Sequence, residues 1–314
     1  MRATDTFPLG GHRIRLLDIG ARYGLQPPFD QWGSHLTPVL FEPEFAEYQR
    51  LKARYDDVHN VALSDAQGPR RLFVAEGPGK SSLYQPNLPL LEQFPRPERF
   101  KVVDTQEVET TTLDLLYESG QLGHADAMKI DVQGAELDIL RGGRRLIADE
   151  LLSLQLEVCF AELYVGHARF ADIDRFVESI GGMHIHDLSK EHWRYARGKH
   201  LDAKGRLVFG DALYFSDIDR VMAMRERETK VLKSAFLATI YGFPDFALHL
   251  LSASKLSTDD VRAAERFIEH DYRRRFTIPG AGMRRRLKWL LALFPSDGKD
   301  GSVGGQRRHG RLVW

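Results

Sequence analysis

The sequence has a single cysteine, no long apolar run and no net charge. Cys159 has no second cysteine to pair with, which excludes an intramolecular disulfide framework and favours a reducing, cytoplasmic compartment. No stretch approaches the roughly 20 apolar residues of a transmembrane helix, and residues 1–8 lack the apolar segment of a signal peptide. Because the formal net charge is zero, no overall field attracts nucleic acid, and we expect no nucleic-acid partner.

The chain also lacks the Gly-x-Gly-x-x-Gly fingerprint of dinucleotide-binding proteins. Arg22 stands where the second glycine after Gly20 would be required. What is present is an acid at the end of an apolar strand, Asp18, followed by Gly20 and Gly24. An acid beside a glycine turn suits a cationic ligand such as S-adenosylmethionine and would repel a pyrophosphate.

Hydrophobic residues make up 43% and charged residues 28% of the chain, which is typical of a globular protein. In the first two thirds, strand-like and helix-like segments alternate, which predicts βαβ units and a largely parallel sheet. The predicted strands are residues 13–19, 37–43, 58–63, 71–75, 125–132, 151–160, 183–188 and 212–215, the last two being antiparallel. The predicted helices are residues 44–55, 112–117, 136–147, 171–180, 220–241 and 258–275.

We predict three parts: a catalytic domain over residues 1–219, a helical C-terminal extension over residues 220–296, and a disordered basic tail over residues 297–314. Residues 284–294 are basic and then apolar. This pattern fits either peripheral membrane contact or packing on the domain, and we favour packing. Residues 77–100, rich in glycine and proline, form either a binding loop or a tolerated surface excursion.

Glu42 ends the second predicted strand, about twenty residues after the glycines. A carboxylate at this place accepts the hydroxyls of an adenosine ribose in nucleotide-binding sheets. NAD enzymes use an acid there too, so Glu42 indicates an adenosine cofactor without distinguishing the two. His184 and His186 share a strand face, but metal ligation needs three or four convergent ligands, and we predict no metal site.

Four motifs in order resemble the FkbM family of methyltransferases. They are the segments 18–21 (Asp-Ile-Gly-Ala), 41–43 (Phe-Glu-Pro), 60–65 (Asn-Val-Ala-Leu-Ser-Asp) and 128–136 (Met-Lys-Ile-Asp-Val-Gln-Gly-Ala-Glu). The resemblance extends over roughly residues 14–216 and departs from the family pattern at Arg22, often Asn, and Gln133, often Glu. It implies the Rossmann-like class I methyltransferase fold, with a seven-stranded, mostly parallel sheet that has an antiparallel edge. It also implies S-adenosylmethionine as cofactor and O-methylation of a carbohydrate or secondary metabolite.

The resemblance places eight residues around the cofactor: Asp18, Gly20, Ala21, Gly24, Glu42, Asn60, Ala62 and Asp131. Asp131 is also positioned to touch the acceptor, and Lys129 points to the same face of its strand. Glu136 and Glu157 are further candidates for the carboxylate that removes a proton from the acceptor hydroxyl. Structural roles for each of these four catalytic candidates are the alternative.

The leading hypothesis is therefore a methyltransferase that acts on a small-molecule or glycan hydroxyl. A non-catalytic binding module that retains the fold is the second hypothesis, kept open by Arg22 and Gln133. An NAD-dependent oxidoreductase is the third, and the missing glycine triplet argues against it.

Overall fold

The computed structural model describes residues 6–200, 203–254 and 256–276. The predictions for residues 284–294 and 297–314 lie outside the described residues. Eleven strands are described: β1 Ile14–Ile19, β2 Leu36–Phe41, β3 Val58–His59, β4 Ala62–Leu63, β5 Gly68–Ala75, β6 Val102–Thr111, β7 Ala127–Ile130, β8 Ser153–Cys159, β9 Met183–Leu188, β10 Glu191–Trp193 and β11 Arg206–Ser216.

Ten α-helices are described in the same residues. They are α1 Phe45–Lys52, α2 Leu88–Leu91, α3 Leu113–Glu118, α4 Glu136–Gly142, α5 Arg144–Glu150, α6 Phe170–Glu178, α7 Ile218–Ala223, α8 Arg227–Tyr241, α9 Pro244–Ser252 and α10 Thr258–Phe276. Short 3-10 helices lie at Phe29–Gln31, Gly33–His35 and Pro97–Phe100. None of the helices in the described part of the chain has the length and hydropathy needed to cross a membrane.

The main sheet is mixed and has eight strands. Its order is β10-β11-β8-β7-β1-β2-β3, and β9 also pairs with β11. Strands β3, β2, β1, β7 and β8 are mutually parallel, whereas β11 is antiparallel to β8, β9 and β10. The expected antiparallel edge is present, but the expected count of seven is not. The eighth strand arises because the outer strand is broken, and β9 and β10 pair with successive parts of β11.

The third predicted strand is divided between two sheets. Residues 58–63 split into β3, which joins the main sheet, and β4, which pairs with β6 in a three-stranded sheet of order β4-β6-β5. Strand β6 was not predicted, because most of its residues are exposed and show no clear alternation.

The single helix predicted over residues 136–147 is two helices, α4 and α5, which meet at Gly142 and Gly143. A Cβ atom at Gly142 would lie 2.1 Å from the carbonyl oxygen of Ser64. The chain therefore packs too closely at this point for any larger residue. Similarly, residues 220–241 do not form one helix, since Glu226 adopts a φ of 51° between α7 and α8. Helix α9 was not predicted.

Apolar side chains cover both faces of the main sheet. On one face, α8, α9 and α10 pack against β1, β2 and β11 in a core that includes Ile14, Phe215 and Phe236. On the other face, α4, α5 and α6 pack in a core that includes Leu17, Leu140 and Val177. The sheet is thus buried on both sides, and polar groups can converge only at the ends of its strands.

Candidate functional site

The carboxyl ends of the four central parallel strands carry acidic residues. Because β2, β1, β7 and β8 are neighbours in the sheet, Glu42, Asp18, Asp131 and Glu157 lie at or near the same edge. Ligands bind at this edge in open parallel sheets. The fold therefore brings together acids that are up to 139 residues apart in the sequence (157 − 18).

Asp18 and Lys129 form a buried ion pair between neighbouring strands. The Lys129 ammonium lies 3.2 Å from the Asp18 carboxylate, and the two residues are register partners in β1 and β7. Burial raises the pKa of Asp18, and the neighbouring Lys129 ammonium partly opposes that rise. Since the carboxylate and ammonium bind each other, this pair holds the two strand ends together.

The turn after β1 brings the backbones of two loops into contact. Gly20 has a φ of 79°, and a Cβ atom there would lie 2.2 Å from the backbone oxygen of Asp131. Its N–H and that of Ala21 donate to the Phe41 carbonyl at 3.1 and 3.2 Å. Gly24 has a φ of 75° and lies against the Tyr55 ring. Only glycine permits this approach at position 20.

Glu42 is a buried carboxylate with one of its oxygens bound. The Glu44 backbone N–H donates to Oε1 at 2.9 Å. Burial raises the pKa of Glu42 to about 7, although this hydrogen bond and Arg22 oppose the rise. The Asn60 side-chain amide donates to the carbonyls of Glu42 and Pro43, each at 2.9 Å. Asn60 thus fixes the backbone that carries Glu42.

Arg22, which replaces the glycine of a dinucleotide fingerprint, has a structural role. Its guanidinium forms ion pairs with Glu44 and, at 3.5 Å, with Glu47. It therefore ties the turn after β1 to the start of α1, next to Glu42.

Gln133 connects the side chains at the centre of the site. It has a φ of 62°, and its amide nitrogen donates to Asp131 Oδ1 at 3.0 Å and to Glu157 Oε1 at 2.8 Å. Its amide oxygen accepts from Lys80 Nζ at 3.0 Å and lies 3.2 Å from the Tyr164 hydroxyl. A neutral amide can donate to both carboxylates at once, whereas a carboxylate at this position would repel them.

Glu136 is occupied within its own loop. Its carboxylate accepts the backbone N–H groups of Val132 and Gly134 at 2.9 to 3.2 Å, and burial raises its pKa to about 7. This arrangement favours a role in holding the 131–134 loop over the proton-accepting role that the sequence left open. Asp131 and Glu157 are the acids placed side by side.

Residues from the 77–100 segment enter the site. The Ser82 hydroxyl donates to the Gln133 backbone carbonyl at 2.6 Å. The segment packs in an apolar cluster with Leu163, Tyr164 and Val208, so it is anchored to the domain. The sequence indicated this segment as a candidate binding loop but gave no role to Lys80 or Ser82. No sequence pattern indicated that Tyr164, whose ring is fully buried, belongs to the site. Ala62, predicted near the cofactor, is buried in β4 of the second sheet.

Residues 18–182 match the family model of the methyltransferase FkbM domain. The chain belongs to the FkbM methyltransferase family. The matched residues of this FkbM domain contain all the site residues described above. They give no support to the oxidoreductase hypothesis.

Among the solved structures that resemble this chain are two methyltransferases of low sequence identity. Methyltransferase FkbM from Methylobacillus flagellatus KT is 16% identical with a TM-score of 0.36, and the match covers 68% of this chain and 47% of that one. This chain therefore spans about half the length of that protein. A proposed tRNA (m1A22) methyltransferase from Streptococcus pneumoniae is 13% identical with a TM-score of 0.34, covering 86% of this chain and 95% of that one. No curated protein gives a significant match.

Proposed function

We propose that the protein is an S-adenosylmethionine-dependent O-methyltransferase that acts on a hydroxyl of a carbohydrate or secondary metabolite. The observation that carries the proposal is the convergence of Glu42, Asp131 and Glu157 at the carboxyl ends of neighbouring parallel strands. A ribose-binding acid then lies on one side of the Gly20 turn, and a pair of carboxylates lies on the other.

The residues present fit an adenosine cofactor. The Glu42 carboxylate uses one oxygen for the Glu44 N–H and offers the other to a ribose hydroxyl. The close approach at Gly20 brings the turn after β1 against Asp131, so that the two strand ends that would flank the cofactor lie together. When bound, S-adenosylmethionine supplies an electrophilic methyl group on a positively charged sulfur.

The carboxylates of Asp131 and Glu157 would orient the acceptor hydroxyl and accept its proton. Glu42 and the Gly20 turn would hold the cofactor, which would supply the methyl group to the acceptor oxygen, and a carboxylate of Asp131 or Glu157 would take the hydroxyl proton. Gln133 holds the two carboxylates within hydrogen-bond reach of one amide nitrogen. They can therefore orient a hydroxyl and accept its proton from a fixed position.

Calorimetry with S-adenosylhomocysteine tests this proposal. We expect the wild-type protein to bind it and Glu42→Ala to bind it at least about tenfold more weakly, because a buried carboxylate–hydroxyl contact contributes on the order of 1.5–3 kcal/mol. Glu92→Ala, which removes the same charge from an exposed position, serves as control and should bind as the wild type does. Absence of binding to the wild type would leave the non-catalytic binding module as the better hypothesis. Equal affinity in Glu42→Ala would show that the ribose assignment is wrong.

A further inference from the structure

Lys80 lies in a turn whose backbone is closely held. Its N–H donates to the Gly77 carbonyl at 3.1 Å, and the Gly77 N–H donates to Arg99 at 2.8 Å. Two residues later, Ser82 exchanges backbone hydrogen bonds with Phe73 at 2.8 and 3.1 Å. The position of Lys80 at the site is therefore set by the fold.

The Lys80 ammonium has neutral partners only. It donates to Gln133 Oε1 at 3.0 Å and lies 5.6 Å from the centre of the Phe100 ring. In the described part of the chain it forms no ion pair. An ammonium has three donors, so two remain for a ligand.

The lysines that are buried among the described residues are each paired with a carboxylate. Lys129 is bound to Asp18, Lys230 to Asp126 and Glu150, and Lys233 to Asp126. Withdrawing a cation from water is costly unless a counter-charge meets it. Lys80 is half-buried and contacts no carboxylate directly, because the Gln133 amide lies between it and its nearest acids, Asp131 and Glu157. Its remaining donors can therefore bind an anionic group of a ligand.

Lys80 lies close to the carboxylates of Asp131 and Glu157. A single side chain, Gln133, touches Lys80 through its oxygen and touches Asp131 and Glu157 through its nitrogen. A molecule whose hydroxyl lies at the carboxylates thus has an ammonium within a few ångströms. The carboxylates alone would repel an anion, and Lys80 offsets that repulsion on one side.

We propose that Lys80 binds an anionic group of the methyl acceptor, so that the acceptor is a sugar or polyol carrying a carboxylate or a phosphate. This inference rests on the proposed function, because it takes Asp131 and Glu157 as the place of the reacting hydroxyl. Lys80 then determines substrate specificity, and Gln133 holds it beside the reacting group.

Matched acidic and neutral sugars test the proposal. Methyl transfer from labelled S-adenosylmethionine is measured on glucuronic acid against glucose, on galacturonic acid against galactose, and on hexose phosphates. We expect transfer to acidic members. In Lys80→Gln, kcat/KM for them should fall at least about tenfold, as expected for loss of a charge-assisted contact. The carboxylate and phosphate arms identify which anion is recognised.

Two variants and one binding measurement complete the test. Lys80→Arg keeps the charge and should retain part of the preference, whereas Lys101→Gln removes a charge from an exposed neighbour and should change nothing. Methyl transfer to neutral sugars alone, or to none of the acidic sugars, would overturn the proposal. Weaker binding of S-adenosylhomocysteine by Lys80→Gln would also overturn it, because the lysine would then belong to the cofactor site. If the wild type binds no S-adenosylhomocysteine, it is the proposed function that fails. If binding is normal and no preference for acidic sugars appears, only the present proposal fails.

Discussion

At the scale of single residues, Gly20 shows how little space separates the loops that form the site. Two features make a side chain unfavourable at this position. The backbone has a positive φ of 79°, and a Cβ atom would lie 2.2 Å from the backbone oxygen of Asp131. Real Cβ contacts are not this short, so any side chain would push the turn after β1 away from Asp131.

We expect Gly20→Ala to lower the free energy of unfolding by roughly 3 kcal/mol or more, since both strain and overpacking act. Two other glycines separate the causes. Gly11 has a φ of 84° with open space around it, so Gly11→Ala should cost only about 1–2 kcal/mol. Gly33 has open space and a φ outside the left-handed region, so Gly33→Ala should stay within about 0.5 kcal/mol. Urea denaturation measures all three, and equal losses at positions 20 and 11 would show that the contact with Asp131 is unimportant.

The positions of Asp18, Glu42 and Asp131 at strand ends could be predicted, because strand ends can be recognised from local pattern. Neighbouring parallel strands then bring such residues to one edge. The pattern could not show that Gln133 links Asp131 to Glu157. That link depends on the left-handed backbone at position 133 and on the order of β7 and β8. Lys80 was equally out of reach, since its contact with Gln133 joins residues 53 positions apart in the sequence.

At the scale of elements, α8 is attached to the sheet by charges as well as by apolar packing. Lys230 and Lys233 lie 3.1 and 2.7 Å from the two oxygens of Asp126, which is fully buried just before β7. The Arg15 backbone N–H also donates to this carboxylate, at 2.9 Å. Burial raises the pKa of Asp126, but the two lysines and the Arg15 hydrogen bond together lower it by more, so the pKa lies below its ordinary value.

We predict that Asp126→Ala lowers the free energy of unfolding by roughly 3–5 kcal/mol, because the buried Lys233 ammonium loses its carboxylate partner and Lys230 keeps only Glu150. Asp104→Ala, at an exposed position of β6, is the control and should change stability by less than about 0.5 kcal/mol. Replacing Lys233 by methionine in the Asp126→Ala background should recover much of the loss, because Lys230 keeps its ion pair with Glu150. Chemical denaturation measures the free energy of unfolding of each variant. If the methionine variant recovers none of the lost stability, the loss is due to packing and not to an unpaired charge.

The same elements show where pattern-based prediction fails. Helices α4 and α5 were predicted as one because apolar spacing continues through Gly142 and Gly143. The break is imposed by a neighbouring backbone at Ser64, which no local pattern reports. Helix α9 begins at Phe243-Pro244, where proline at the first helical position is favourable but was not recognised as a start.

At the scale of the whole molecule, the C-terminal helices share a core with the sheet. Most residues of α8 are buried, and its side chains pack with Ile14 and Leu16 of β1 and with Phe215 of β11. If the helices were removed, this face of the sheet would be exposed to water. Helices that share this core with β1 and β11 contribute to the stability of the domain predicted over residues 1–219.

We therefore expect a fragment of residues 1–219 to lack a cooperative thermal transition, because a large apolar surface would face solvent. A fragment of residues 1–276, which retains every described element, should keep the transition. Circular dichroism and one-dimensional NMR measure both. A sharp transition in the shorter fragment would show that residues 1–219 fold without the helices.

The contact between Gly20 and Asp131 also has a thermodynamic consequence for ligand binding. Because the backbone of the first turn abuts the carbonyl of Asp131, neither loop can shift without displacing the other. If the proposed function is right, we expect occupation on the Glu42 side to change affinity on the Asp131 side, and the two effects must then be equal in size by linkage. Cofactor and acceptor would in this way be coupled across a single glycine, and the order in which they bind would leave the total binding free energy unchanged.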